Sequence, residues 1–171
     1  YGFGRSMTFS PRDGSPATTV DGVDRMSAYG TVGRLAIGDF RLQWMMNHRT
    51  QDIPAGVDGT VVGDPTVVYR DTRSMLEARY EPRLGDHAQL FLRAVANDYR
   101  FRAGYVYDDG TGAVPSHEVY RGTWAIGEAR FVIRPSDSLS LTIGGEVNAN
   151  IRASDFIARV AFDWLTYISL M

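Results

Sequence analysis

Hydrophobic and polar residues alternate along much of this chain with a period of two. In the stretch 40–49, Phe40, Leu42, Trp44 and Met46 take even positions, and Arg41, Gln43, Asn47 and Arg49 take odd ones, with Met45 the exception. That period puts successive side chains on opposite faces of a strand. An extended run at 29–37 precedes it across Gly38 and Asp39. Two extended runs joined by two turn residues predict a β-hairpin.

The rest of the chain varies this unit. Residues 1–9 alternate large and small and read as a strand. Residues 10–26, rich in Pro, Gly, Asp and Thr, read as a long loop. So do residues 50–72, with a short strand at 66–69. Strands follow at 73–82, 88–102, 120–134 and 138–148, though 88–102 has no clean parity and suggests a bulge or a projecting strand end. Residues 103–118 read as a third long loop. The last segment, 155–171, reads as a strand, with a terminal helix as the competing reading. The prediction is an all-β chain. It is an antiparallel up-and-down meander of about eight strands, a closed barrel or a segment of a larger one, forming a single domain over 1–171.

Connections alternate long and short. A membrane barrel has brief turns on one side and longer loops on the other, and a soluble sandwich has no reason to sort its loops this way. The two strand faces differ as well. Glu77, Arg79, Arg93, Glu128, Arg130 and Glu146 fall on the second face, opposite the apolar set of their strands. In a membrane barrel they face the lumen and the apolar set faces lipid; in a soluble barrel they face water. Small residues on the apolar parity (Ala125, Gly127, Ala129, Gly145) suit lipid better than a filled core. Tyr29, Trp44, Tyr80, Tyr99, Tyr120 and Trp124 are expected toward strand ends, as an interfacial girdle.

Composition narrows the function classes. A net charge of −2 gives no basis for binding nucleic acid. Every basic side chain is Arg, which a GC-rich genome explains and which also suits carboxylate pairing. There is no Cys, so thiol catalysis and disulfides are excluded. No apolar run approaches the ~18–20 residues of a transmembrane helix, and barrel strands of ~9–11 alternating residues escape that criterion.

Candidate chemistry is sparse. His48, His87 and His117 have no metal-ligand spacing. The run 108–112 (DDGTG) lacks the calcium-loop pattern. Gly144-Gly145 lies within a strand and marks a bend or a close backbone approach. No acid, base and nucleophile stand at a recognisable spacing, so no catalytic residue, metal or cofactor is expected. The segment 100–109 carries Arg100, Arg102, Tyr105, Tyr107 and Asp108, a candidate binding set for a small-molecule ligand.

The runs GDFRLQWMMNHRTQDIPAGVDGTVVGDPTVVYRDTRSMLEARYEPRLGDHAQLFLRAVANDYRF and GTWAIGEARFVIRPSDSLSLTIGGEV resemble stretches of the barrel of TonB-dependent outer-membrane receptors. The likeness rests on His48-Arg49, Ile53-Pro54, Asp64-Pro65 and the strand from Leu76 to Glu81, and covers roughly residues 28 to 148. It implies a bacterial outer-membrane location, lipid or detergent as partner, and a role in ligand uptake or as a structural subunit of a larger membrane assembly. Such receptors have roughly 22 strands and a plug, so a fragment, or a smaller protein built like that barrel, is expected. A soluble β-barrel that binds a small apolar ligand or acts as a hydrolase is the alternative.

Overall fold

The structure, a computed structural model, describes residues 4–10, 16–56, 59–108, 110–153 and 160–170, the last stretch by its backbone. Among the described residues there are nine strands: β1 (Arg5–Phe9), β2 (Thr18–Val23), β3 (Met26–Ile37), β4 (Phe40–Asp52), β5 (Val68–Tyr80), β6 (Ala88–Asp108), β7 (Ala113–Ser136), β8 (Leu139–Ala153) and β9 (Val160–Leu170). β1 and β2 pair with each other, and β3 to β9 form a seven-stranded sheet in chain order. The expected antiparallel up-and-down order is therefore observed, with no α-helix among the described residues. The sheet is open, with β3 and β9 as its end strands.

The predicted β3–β4 hairpin forms. Gly38, at φ +56°, supplies the left-handed residue that a two-residue turn demands. The terminal segment is a strand over Val160–Leu170, not a helix, and pairs with β8 along its whole length. The beginning of the expected first strand, residues 1–3, and residues 154–159 near the chain end lie outside the described residues.

Three expected loops are shorter than the sequence suggests. The segment 10–26 contains β2, which returns antiparallel along β1 through Thr8–Thr19 and Phe9–Thr18 pairs. The strand expected from residue 73 starts at Val68, because Asp64 closes a turn just before it. Its carboxylate accepts from the Thr66 amide at 2.8 Å, and its carbonyl accepts from the Val67 amide at 3.2 Å. The third loop, 103–118, is mostly taken up by the continuation of β6 to Asp108 and of β7 from Ala113. The Asp108 side chain accepts from the Gly110 amide there at 2.9 Å, an Asx turn. Aromatic and β-branched residues such as Tyr105, Val106 and Tyr107 favour that extension over a loop.

The chain divides into two compact units. The first comprises Tyr1–Gly30, Asn47–Thr72 and Arg100–Tyr120; the second comprises Thr31–Met46, Arg73–Tyr99 and Arg121–Met171. In the first unit, Val23, Thr60, Val67, Val68, Ala103, Tyr105 and Val106 are buried. The segment between β4 and β5 closes over them. The Ile53 amide donates to the Val67 carbonyl and the Val61 amide to the Val106 carbonyl, and Thr60 bridges to Tyr107. This satisfies backbone groups of β6 that would otherwise form an open edge.

In the second unit the register of β7 against β8 assigns the faces. Ala129 pairs with Gly145, Phe131 with Ile143 and Ile133 with Leu141, all apolar or small. The intervening pairs include Glu128 with Glu146 and Arg130 with Gly144. Gly144 is required there: a Cβ would stand 2.6 Å from both the Ala129 carbonyl oxygen and Arg130 Cγ. The close backbone approach expected at this glycine pair is thus found.

Candidate functional site: a charged face and an aromatic cluster

The six charged residues singled out by parity come together in the second unit, on β5, β6, β7 and β8. Alternation puts them on one side of each strand, and antiparallel pairing brings the strands abreast. Glu128 and Glu146 stand directly opposite each other, an arrangement that destabilises a sheet unless cations intervene. Arg93 supplies one, with Nη1 at 3.4 Å from Glu128 and 3.9 Å from Glu146. Its Nε donates to Glu77 Oε2 at 2.9 Å. Arg79 Nε holds the other Glu77 oxygen at 2.7 Å. Arg130 Nε stands 2.7 Å from Glu128, and its guanidinium lies 4.0 Å over the Phe91 ring. Arg41 donates to Glu81 at 3.1 Å nearby in the same unit.

Three carboxylates and three guanidiniums make this network neutral. Each of its carboxylates lies within ion-pair range of an Arg, which suppresses the general acid–base role a lone carboxylate could take. Its chemistry is that of a mutually ion-paired polar wall.

The opposite side of the same strands is apolar and open. Leu76 is 48% exposed, Tyr80 46% and Ile143 50%, whereas the Glu77 side chain is 7% exposed. A shallow groove of about 520 Å³ crosses this apolar side. Ala78, Ala94, Gly127, Ala129 and Gly145 line it, with Phe40 and Tyr80 among its walls. The small residues expected on this parity do share one surface. Sequence reasoning did not find the groove, because it arises only when four strands bring their small residues abreast.

The first unit holds an aromatic cluster. Tyr69 meets Phe101 edge-on at 5.4 Å and Tyr105 at 5.9 Å; Phe101 lies 6.0 Å from Tyr120, and Tyr105 lies 6.1 Å from Tyr107. The hydroxyls of Tyr105 and Tyr120 both donate to Glu118 at 3.3 Å. Burial, then the neighbouring Tyr69 and Glu118, push the Tyr105 phenol well above its ordinary pKa. It is a neutral core residue.

The five residues proposed as a binding set all lie on β6, and the strand divides them. Tyr105 and Tyr107 join the aromatic cluster. Arg100 and Arg102 take the other parity and are exposed. Asp108 serves the hairpin tip. The aromatic girdle also needs correction. Trp44, Tyr99, Tyr120 and Trp124 lie well inside their strands, not toward the ends. Tyr120 shares its side of β7 with Glu118, and Trp124 has the parity of Glu128.

The histidines have separate structural duties. His48 bonds Thr72 at 2.8 Å and stacks near Tyr29 at 5.0 Å, and the His87 carbonyl accepts from the Arg134 amide. Among the described residues no helix is long and apolar enough to cross a membrane, a criterion that says nothing of barrels. No protein-family model, curated protein or solved structure matches this chain.

Proposed function

We propose that this chain is part of a bacterial outer-membrane β-barrel of the kind its sequence resembles. In this reading it forms a stretch of barrel wall in ligand uptake or in a structural membrane assembly. The observation that carries the reading is the partition of the two faces in the second unit. The charged face is knitted into a neutral network in which Glu77, Glu128 and Arg93 are covered and Arg79, Arg130 and Glu146 are partly exposed, while Leu76, Tyr80 and Ile143 on the other face stand about half exposed. Water favours the reverse, with apolar surface covered and ions solvated. Hydrocarbon outside and a polar lumen inside favour this one. The groove lined by Ala78, Ala94, Ala129, Gly127 and Gly145 is compatible with lipid contact, since a bilayer fills shallow apolar relief without a matched partner.

Partition tests it. The protein should require detergent for solubility and should float with phosphatidylcholine vesicles after reconstitution. A stable monomer in buffer that ignores vesicles would remove the membrane reading and leave the soluble barrel.

A further inference from the structure

Within the second unit, the charged face ends in a polar pocket of about 220 Å³. Arg83, Asp86, His87, Gln89 and Arg134 line it. Backbone bonds build its walls. Arg83 bridges to Gln89, the Leu84 amide donates to the Ala88 carbonyl at 2.8 Å, and the Arg134 amide donates to the His87 carbonyl at 2.7 Å. The start of β6 therefore lies between Arg83 on one flank and β7, with Arg134, on the other. Directly opposite residues share one side of a sheet, so Arg83 shares the side of Gln89. Gln89 keeps the parity of Arg93, and Arg134 that of Glu128 and Arg130, so these residues extend the charged side.

The balance of charge changes at this end. Further along the same side, Glu77, Glu128 and Glu146 hold Arg79, Arg93 and Arg130. At the pocket Asp86 is the single lining acid. Among the described residues no ion pair joins it, or any other carboxylate, to Arg83, His87 or Arg134. All three are exposed, so a dissolved ion reaches them.

We infer that this pocket binds a small oxyanion of the phosphate class, as the free ion or as a phosphate monoester. Its volume falls below the roughly 300–1,000 Å³ of pockets that enclose drug-sized ligands, which confines the enclosed group to ionic size. The donors select among anions. One guanidinium fork engages both oxygens of a planar carboxylate, which leaves none for a second fork. Phosphate has oxygens for a fork from each flank of β6 and for the Gln89 amide on the strand between them. Asp86 opposes the anion, keeps the affinity modest, and gives the site a sign that can be measured. The inference concerns the charged side alone and does not depend on what meets the apolar side.

Isothermal titration calorimetry with inorganic phosphate tests it, on the full chain kept monodisperse in buffer or detergent. The wild type should bind phosphate more tightly than acetate at equal ionic strength. Arg83→Gln and Arg134→Gln should each weaken binding roughly tenfold, as for a hydrogen bond to a charged group at an exposed site. Asp86→Asn should tighten it roughly two- to fivefold, the scale of an exposed charge pair. Arg34→Gln removes an exposed arginine of the same unit outside the pocket and should change nothing. These side chains are exposed, and an unchanged circular dichroism spectrum verifies that each variant folds. Methyl phosphate titrated alongside separates the two sources. Binding tighter than that of inorganic phosphate assigns the site to an ester and weaker binding assigns it to the free ion, and either supports the site. Four results overturn the inference: no phosphate binding by the wild type, binding no tighter than that of acetate, an Arg34→Gln loss equal to that of the pocket variants, or weaker binding by Asp86→Asn.

Discussion

Glu77 and Gly144 show what single residues do here. Glu77 is clamped by Arg79 and Arg93 with 7% of its side chain exposed, so Glu77→Gln takes the charge partner from Arg79 and one of three from Arg93. A loss of about 1–3 kcal/mol is expected, as for a deprived hydrogen-bonded group. Arg25→Ala breaks a pair in which the arginine is 59% exposed and should cost under about 1 kcal/mol. Urea titration in detergent compares the two, and equal losses would contradict the account. Glycines separate in the same way. Gly144→Val drives a side chain into the Ala129 carbonyl and Arg130 and should cost about 1–3 kcal/mol. At Gly127 nothing lies within 4 Å of an added Cβ, so Gly127→Ala should be neutral or gain up to about 1 kcal/mol. The need for glycine at 144 was legible as a close approach. The contact with Arg130 was not, since that depends on where Arg130 lies across the strand.

At the scale of elements, β6 explains both the success and the failure of pattern reading. β5 from Arg73 on, β7 from Trp124 on and β8 keep their charges on one parity each, and their faces were readable. β6 does not, because its character inverts along its length: Arg93 and the buried Tyr105 share a parity, as do Leu92 and Arg102. The cross-strand pairs Arg93–Glu128 and Phe101–Tyr120 also stand eight residues apart on each strand. The inversion is therefore one of chemistry within a constant phase. The aromatic extension was misread as a loop because Gly104, Gly110 and Gly112 punctuate it, and turn residues weigh heavily when cross-strand contacts are invisible. Tyr105 gives this element a pH signature. Its folded pKa lies above the unfolded value, so its contribution is complete below about pH 10 and is lost as pH rises past that. Alkaline unfolding should set in there, and Tyr105→Phe should remove that part of the pH dependence at a cost of about 1 kcal/mol for the lost Glu118 hydrogen bond. An unchanged alkaline limb in the variant would assign the effect elsewhere.

For the whole molecule, the all-β meander was written in the period-two pattern, while the environment of its faces depends on what surrounds the sheet. Alternation is the same whether the apolar side meets hydrocarbon or a protein core. Leu141→Arg is damaging in both cases, about 2–4 kcal/mol at a bilayer midplane, and as an unpaired buried charge in a core. Accessibility separates them. The chain has no native cysteine, so single nitroxide labels at Ile143→Cys and Thr142→Cys can be read cleanly in vesicles. Ile143 is half exposed on the apolar side and pairs with Phe131; Thr142 pairs with Val132 on the side of Glu146. The account predicts that the Ile143 label relaxes with oxygen, which partitions into lipid, and that the Thr142 label relaxes with a water-soluble nickel chelate. An Ile143 label shielded from both reagents would place it in a protein core and contradict the membrane reading.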